Sequence, residues 1–355
     1  MPHVMSNEQQ KPVIGISVGD LNGIGMEVII KSLEDPAVME LCTPVVFASA
    51  KVAAYHRNAI DKKDFNFHLI RDFEQIHPDR PNLYHAWQEE VALEFGKLDP
   101  VVGSYAVKSL ISACDHLDAG KTDALVTAPV HKQGIHSEDF PYQGHTDYLG
   151  ARYGASPTMM LLNEDLRVAL CTVHIPLAEV AAQLSAEGIE KRLNVLHRSL
   201  RDDFGLSKGR IAVLSVDPHA GDGGVIGKID QDLVAPAVEK AFNNGILAFG
   251  PYPADSFFGS GNYRKFDAIL AMYHDQGLIP FKTLSFGQGV NYSAGLPIVR
   301  TSPDHGTAFE LAGKSEADPG SFRAALFAAI DLVRNRGLSE ELKANPLVAK
   351  RKKRK

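Results

Sequence analysis

The chain has 355 residues, of which 45% are hydrophobic and 23% charged, a composition typical of a soluble globular protein. Its net charge of −6 argues against a nucleic-acid partner. Residues 1–11 form no signal-peptide core, no apolar run is long enough to cross a bilayer, and the three cysteines lack metal-type spacing. We therefore expect a cytoplasmic protein that has neither a nucleic-acid partner nor a membrane partner.

The predicted elements alternate between strands and helices. Residues 13–18 predict a buried strand, residues 19–25 a glycine-rich turn, and residues 26–33 a helix. Further strands are predicted over residues 45–48, 123–128, 158–162, 166–173, 211–216 and 266–272. Further helices are predicted from residue 51 and over residues 102–117, 177–184, 189–203, 229–242 and 320–334. This alternation is typical of an α/β fold with a largely parallel sheet.

No linker divides the chain, which favours two lobes on one continuous scaffold over two separate domains. We expect residues 11–130 together with residues 300–345 to form the first lobe. Residues 131–299 would then form the second lobe, which contains most of the candidate site residues. The basic residues 346–355 predict a disordered tail. Residues 60–100 have no clear periodicity, so no element is assigned to them.

Three histidines each follow an apolar run that is typical of a strand: His174, His219 and His274. Open α/β proteins bind ligands at the carboxyl ends of their strands. Three imidazoles at such ends can hold one metal ion and leave a coordination position open for substrate. A single histidine is more often a structural or surface residue than a metal ligand, so spacing alone does not decide between these two interpretations.

A second group of polar residues is suited to an anion. Thr146 is a candidate N-cap for a helix beginning at residue 147, where free N–H groups attract phosphate or carboxylate. Lys282, Asn291 and Arg300 follow the third histidine, and Arg300 comes directly after an apolar, strand-like run. Lone lysines and arginines usually lie in solvent, which is the alternative for these residues. Asp255 lies in a loop-like segment and is either a catalytic contact or a turn residue.

Ten stretches, in one order along the chain, carry a family resemblance. They are residues 127–132, 144–146, 166–176, 217–224, 253–255, 271–277, 289–291, 295–297, 300–302 and 304–307. Together they resemble the 4-hydroxythreonine-4-phosphate dehydrogenase family of pyridoxal phosphate biosynthesis. The resemblance implies an α/β fold like that of isocitrate and isopropylmalate dehydrogenases, with two interleaved lobes and an active-site cleft between them.

The resemblance also implies an assembly and a set of site residues. It implies a homodimer whose metal site lies at the subunit interface, with ligands from both subunits. One divalent metal (Zn, Co or Mg) would be held by His174, His219 and His274. The substrate contacts would be His145, Thr146, Lys282, Asn291 and Arg300, and Asp255 is a candidate catalytic residue.

The implied reaction is an oxidation of a small phosphorylated substrate that depends on NAD or NADP and on the metal. 4-Phosphooxy-L-threonine would be oxidised at its C3 hydroxyl to 2-amino-3-oxo-4-phosphooxybutanoate, which decarboxylates to 3-amino-2-oxopropyl phosphate. No residue of the sequence can be assigned to the nucleotide, so the cofactor-binding residues are unknown.

The first loop departs from the family pattern. Leu21 and Asn22 stand where the family usually has Pro-Ala, and Met26 replaces a later proline. These changes keep a related substrate open as an alternative, such as threonate 4-phosphate or erythronate 4-phosphate. Alternatives of another class are a metal-dependent hydrolase or lyase of a phosphometabolite, or a protein that only binds such a molecule.

Overall fold

The structure is a computed structural model that describes residues 11–285, 287–344 and 346. Within these residues, twelve strands form one sheet: β1 (Val13–Ser17), β2 (Thr43–Ala48), β3 (His68–Ile70), β4 (Asn82–His85), β5 (Ala124–Thr127), β6 (Thr158–Leu162), β7 (Arg167–Leu170), β8 (Ile211–Leu214), β9 (Ala248–Tyr252), β10 (Ala268–Ala271), β11 (Val290–Ala294) and β12 (Val299–Pro303).

The helices alternate with these strands along the chain. They are α1 (Gly25–Leu33), α2 (Pro36–Leu41), α3 (Ala50–Ala59), α4 (Pro100–Asp118), α5 (Lys132–Ile135), α6 (His145–Arg152), α7 (Val180–Gln183), α8 (Ala186–Asp202), α9 (Ala235–Asn243), α10 (Ala254–Gly259), α11 (His274–Ser285) and α12 (Gly320–Ala344). A π-helical turn, Asp230–Val234, leads directly into α9. None of the described helices has the length and apolar character needed to span a membrane.

The strand order across the sheet is β3-β4-β2-β1-β5-β12-β11-β6-β7-β10-β8-β9. Neighbours are parallel except at three places near the centre, where β11 is antiparallel to both β12 and β6, and β6 is antiparallel to β7. The strands on the two sides of this centre therefore run in opposite directions. The predicted α/β class and largely parallel sheet are confirmed.

Both faces of the sheet are covered by helices, which explains why strands such as β2 are buried along their whole length. One face packs against α1, α8, α9 and α12. On the other face, α4 and α6 cover β2 and β5, whereas α10 and α11 cover β7, β8 and β10. The central strands β12, β11 and β6 lie between these last two groups of helices, and this gap accommodates the site.

Several elements differ from the sequence predictions. The predicted strand over residues 266–272 ends at Ala271, and His274 begins α11 rather than ending a strand. The helix predicted from residue 147 begins at His145, with Gly144 at the N-cap position and no side-chain cap. Thr146 therefore lies inside the first turn, because tertiary packing buries the His145 ring and sets where the helix starts. The last helix continues ten residues beyond the predicted end, to Ala344.

Residues 60–100, to which no element was assigned, contain β3 and β4, followed by an irregular segment. Strands from residues 11–130 and β12 make up one half of the strand order, and β6 to β11 the other half. The division into two lobes remains a prediction. Residues 347–355 of the predicted basic tail lie outside the described residues.

Candidate functional site

A cavity of about 370 Å³ lies over the central strands. Two alternate residues of β6, Met159 and Leu161, line it, as expected for a strand with a period of two, together with residues of β11 and β12. Seven of the nine residues that the sequence proposed for the site line this cavity: His145, Thr146, His174, His274, Lys282, Asn291 and Arg300. The structure thus brings together residues that are separated by up to 155 positions in the chain.

Arg300 is the most unusual residue of the cavity, because its guanidinium is buried without a counter-charge. Only 3% of the residue is exposed. Its Nη2 and Nε donate to Thr127 Oγ1 at 2.7 and 3.2 Å, and its Nη1 donates to Ser293 Oγ at 3.2 Å. No carboxylate of the described residues lies within 4.0 Å of it. Burial lowers the pKa of Arg300 to about 10, so the group remains a cation at neutral pH.

His145 lies in the first turn of α6 and is buried beside Arg300. Burial, together with the positive charge of Arg300, lowers the pKa of His145 well below its usual value, so the imidazole is neutral at physiological pH. Its Nε2 is buried and has no hydrogen-bond partner among the described residues. A neutral ring with a free nitrogen can donate to, or accept from, a ligand in the cavity.

The other end of α6 is fixed to α4 by a charged clamp. Arg152 Nη2 lies 2.7 Å from Asp115 Oδ1 and 2.5 Å from Asp118 Oδ2, and Arg152 Nη1 donates to Tyr148 Oη at 2.7 Å. Because the planar guanidinium donates to two carboxylates of α4, it restricts how α6 can rotate relative to α4. The clamp therefore sets the direction in which the first turn of α6 presents His145 and Thr146 to the cavity.

His174 and His274 form a pair at the edge of the cavity, with ring centroids 5.7 Å apart. They follow β7 and β10, which are adjacent and parallel, so their carboxyl ends meet. Partial burial lowers the pKa of His174, and the nearby Lys132 and His274 lower it further. His274 Nδ1 lies 2.7 Å from Asp275 Oδ1, an arrangement that orients the ring and leaves Nε2 free for a ligand.

His219 and Asp255 do not line this cavity. His219 is exposed, in a loop after β8 in which residues 219–223 all have positive φ. The Asp230 carboxylate holds the start of the loop by accepting from the backbone N–H groups of residues 216 and 217, both at 2.8 Å. Asp255 is the second residue of α10 and not a turn residue, and it lines a second cavity that also contains Asp275. Among the described residues, no group of three metal-binding side chains is assembled within one chain.

The two remaining predicted contacts approach the cavity from different elements. Lys282 is exposed and lies on α11, two turns after His274, so both side chains reach the cavity from one helix face. Asn291 is half-buried in β11, where it pairs with Ser302 of β12. A flexible ammonium and a fixed amide of this kind both suit an anionic, oxygen-rich ligand.

The sequence did not single out several residues that the structure places at the site. Thr127 and Ser293 orient the Arg300 guanidinium, and Lys132, Asp304 and His305 line the cavity. Lys132 and His305 lie in two of the stretches that carry the family resemblance, so a signal was present. Ser293 has no such signal, because its role depends on the pairing of β11 with β12.

The fold and cavity together define an α/β protein whose cavity contains a buried guanidinium next to a pair of imidazoles. The chain belongs to the family of the pyridoxal phosphate biosynthetic protein PdxA, whose family model matches residues 40–329. The family resemblance found in the sequence is therefore confirmed.

Relatives with known names agree with this assignment. A 4-hydroxythreonine-4-phosphate dehydrogenase of Bacteroides thetaiotaomicron is 48% identical over 342 residues, which cover 96% of this chain and 94% of that protein. The crystal structure of a 4-hydroxythreonine-4-phosphate dehydrogenase from Klebsiella pneumoniae matches with a TM-score of 0.79 and 33% identity, covering 92% of this chain and 99% of that one. A terephthalate 1,2-cis-dihydrodiol dehydrogenase from Burkholderia xenovorans matches more weakly, with a TM-score of 0.60, 26% identity and coverage of 92% and 98%.

Proposed function

We propose that this chain is a cytoplasmic, metal-dependent 4-hydroxythreonine-4-phosphate dehydrogenase that uses NAD or NADP. It oxidises the C3 hydroxyl of 4-phosphooxy-L-threonine, and the 3-oxo product loses carbon dioxide to give 3-amino-2-oxopropyl phosphate. The observation that carries the proposal is the buried, uncompensated Arg300 cation in a cavity that also contains two imidazoles. The names of the relatives support the choice of reaction.

The buried side of the cavity binds the substrate's anionic groups. Arg300 donates to phosphate or carboxylate oxygens, and the ligand supplies the negative charge that no nearby carboxylate of the described residues provides. His145, Thr146, Asn291 and Lys282 add donors around the same group. Each hydrogen bond to a charged group contributes about 1.5–3 kcal/mol, so this set can fix the substrate's orientation. Fixed orientation is the main contribution of the protein to such a hydride transfer.

The imidazole pair has the chemistry of a divalent metal site. His174 and His274, whose ring centroids lie 5.7 Å apart, would be the residues of this cavity that hold the metal. The lowered pKa of His174 favours the neutral ring, which is the form that binds metal. When bound, the cation would supply Lewis acidity toward the substrate hydroxyl, and the nicotinamide would serve as the hydride acceptor. Imidazole ligands favour zinc or cobalt over magnesium.

We further propose that a homodimer completes the site. His219 and Asp255 lie outside the cavity, but both belong to surfaces that contain exposed apolar side chains: Val225 and Ile226 beside His219, and Ile279 beside Asp255. Apolar side chains of this size in one region are typical of a protein interface. A second copy of the chain on these surfaces would bring His219 to the metal, and would bring Asp255 to the substrate as the candidate general base.

The proposal is tested by measuring products with purified protein, divalent metal and either nucleotide. We expect 4-phosphooxy-L-threonine to yield reduced nicotinamide and carbon dioxide in equal amounts, faster than threonate or erythronate 4-phosphate. His274→Ala should lower kcat/KM at least about 100-fold. His197→Ala, on α8 and away from the cavity, is the control and should match the parent chain.

Two other product patterns would each indicate one of the alternative functions. Faster oxidation of the hydroxy acids would make the chain a dehydrogenase of a different phosphorylated substrate. Phosphate release without nicotinamide reduction would make it a hydrolase and would contradict the proposal.

A further inference from the structure

An irregular segment, residues 86–99, lies between β4 and α4 and is held against the body of the protein along its whole length. We call it the strap. Trp87 is buried near Tyr105, with ring centroids 5.4 Å apart. Glu89 forms an ion pair with Lys108 of α4 at 2.9 Å, and Glu90 pairs with Lys51 of α3. The strap is therefore a fixed part of the fold although it forms no helix or strand.

One buried residue, Asn22 of the first loop, forms three hydrogen bonds with the middle of the strap. Asn22 is 1% exposed. Its Nδ2 donates to Lys97 O at 2.9 Å, and its Oδ1 accepts from the Glu94 N–H at 2.9 Å. Its backbone oxygen accepts from the Gly96 N–H, also at 2.9 Å. Both ends of the amide are thus used, and an apolar residue at this position would leave two backbone groups of the strap, in partly buried contacts, without these partners.

The strap and the first loop both pack against residues 304–313, which follow β12. A Cβ added at Gly96 would lie 2.9 Å from Phe309 O, and one added at Gly313 would lie 2.5 Å from the Phe95 ring, so these segments are in close contact. The Ile24 N–H donates to Thr307 O at 3.1 Å. This packing matters for the site because Asp304, His305 and Gly306 form one wall of the cavity.

We propose that Asn22 is a positioning residue: by fixing the strap, it holds the Asp304–Gly306 wall in the arrangement that binds the anionic ligand. The inference deepens the proposed function and rests on it for the identity of the substrate. The contacts connect in three steps. The Asn22 amide bonds to Glu94 and Lys97. The neighbouring Phe95 and Gly96 contact residues 313 and 309, respectively, and these residues belong to the segment that begins with the wall. A ligand that binds to a loosened wall must first order it, and this ordering weakens affinity.

The test is the binding of inorganic phosphate, measured by calorimetry, in Asn22→Ala. We expect the dissociation constant to rise about tenfold, equivalent to about 1.4 kcal/mol. In Asn22→Asp, which keeps the acceptor for Glu94 N–H but loses the donor to Lys97 O, we expect a smaller increase. With 4-phosphooxy-L-threonine, Asn22→Ala should raise KM and leave kcat nearly unchanged, whereas a loss of folded protein would lower kcat alone.

Asn82→Ala is the matched control. Asn82, the first residue of β4, is also fully buried, and it donates to Pro44 O, His77 O and Arg80 O, none of which lines the cavity. We expect Asn82→Ala to lower stability without changing phosphate affinity. Parent-like phosphate affinity in both Asn22 variants, or equal weakening in Asn82→Ala, would overturn the proposal. Because phosphate binding needs no turnover, this result is independent of whether the chain proves to be a dehydrogenase.

Discussion

Buried ionisable side chains determine how this protein responds to pH. His56 on α3 is 1% exposed, and its Nε2 lies 2.8 Å from Leu21 O. Burial lowers the pKa of His56 to about 4, and the hydrogen bond to Leu21 only partly opposes this. The unfolded chain therefore binds a proton at His56 between about pH 6.5 and pH 4 that the folded chain does not bind. The stability contributed by neutral His56 is complete above pH 6.5 and is lost as the pH falls towards 4.

This difference predicts the behaviour of His56→Gln, which keeps an amide donor but cannot titrate. Between pH 7.5 and pH 5, the parent chain should lose about 2 kcal/mol more unfolding free energy than the variant does. Urea unfolding at the two pH values measures this loss, and His136→Gln at an exposed position is the control. Equal losses in the parent and in His56→Gln would show that His56 does not remain neutral in the folded protein.

The individual residues of the site show what sequence reasoning can and cannot find. Arg300 stood out because it directly follows an apolar, strand-like run, and Asn291 because it follows the third histidine together with Lys282 and Arg300. The absence of a counter-charge at Arg300 could not be predicted, because it depends on which residues of β5 and β11 pair with β12. The role of Asn22 was also hidden, since its partners lie 72 and 75 positions away in a segment without periodicity.

Among the elements, the loop after β8 carries His219, the one proposed metal ligand that lies outside the cavity of its own chain. Residues 219–223 have φ between 44° and 78°, and three of them are not glycine. Left-handed backbone costs about 1–2 kcal/mol at each such residue, so this conformation requires support from the surrounding structure. Asp230 supplies support at the start of the loop. A loop that is both strained and exposed is suited to contact a partner.

Mixed subunits test whether this loop acts across an interface. His219→Ala and His274→Ala should each be inactive, because each lacks one metal ligand in every site. If His219 and His274 of one metal site come from different subunits, a mixture of the two variants should regain activity, since one of the two sites in a mixed dimer is intact. We expect up to about a quarter of parent activity when equal amounts assemble at random, as half of the dimers are mixed.

A second mixture, of His274→Ala with His174→Ala, is the control. These two residues are paired within one chain here, and recovery of activity in this mixture would show that they, too, come from different subunits in one metal site. No recovery in the first mixture, with both variants folded and dimeric, would rule out a metal site in which His219 and His274 come from different subunits.

Most regular elements were predictable from the sequence because their signals are local. The strands β1, β2, β6 and β8 have continuous apolar runs, and α8 has an N-cap serine, Ser185, whose side chain accepts from Gly188 N–H. The short strands β3 and β4 and the strap could not be predicted, because neighbouring segments rather than local periodicity stabilise them. The predicted start of α6 was two residues too late, also because packing against neighbouring segments stabilises its first turn.

At the scale of the whole molecule, the cavity lies where the sheet changes direction. The antiparallel strands β11 and β6 join two halves whose strands run in opposite directions. Residues from β5 and β12 on one side, and from the loop after β7 and helix α11 on the other, therefore meet over the same strands. The sequence indicated an α/β fold with ligands near strand ends, but strand order and direction are long-range properties, so the location of the site required the structure.

The proposed function requires that the buried Arg300 cation binds the substrate's negative charge. The most direct measurement is the affinity of 4-phosphooxy-L-threonine for Arg300→Met, compared with the exposed Arg210→Met as control. We expect at least about a 100-fold weaker affinity, with an unfolding free energy that is equal to or higher than that of the parent, because a desolvated cation is removed. Affinity equal to that of the parent in folded Arg300→Met would show that Arg300 does not bind the substrate's anionic groups.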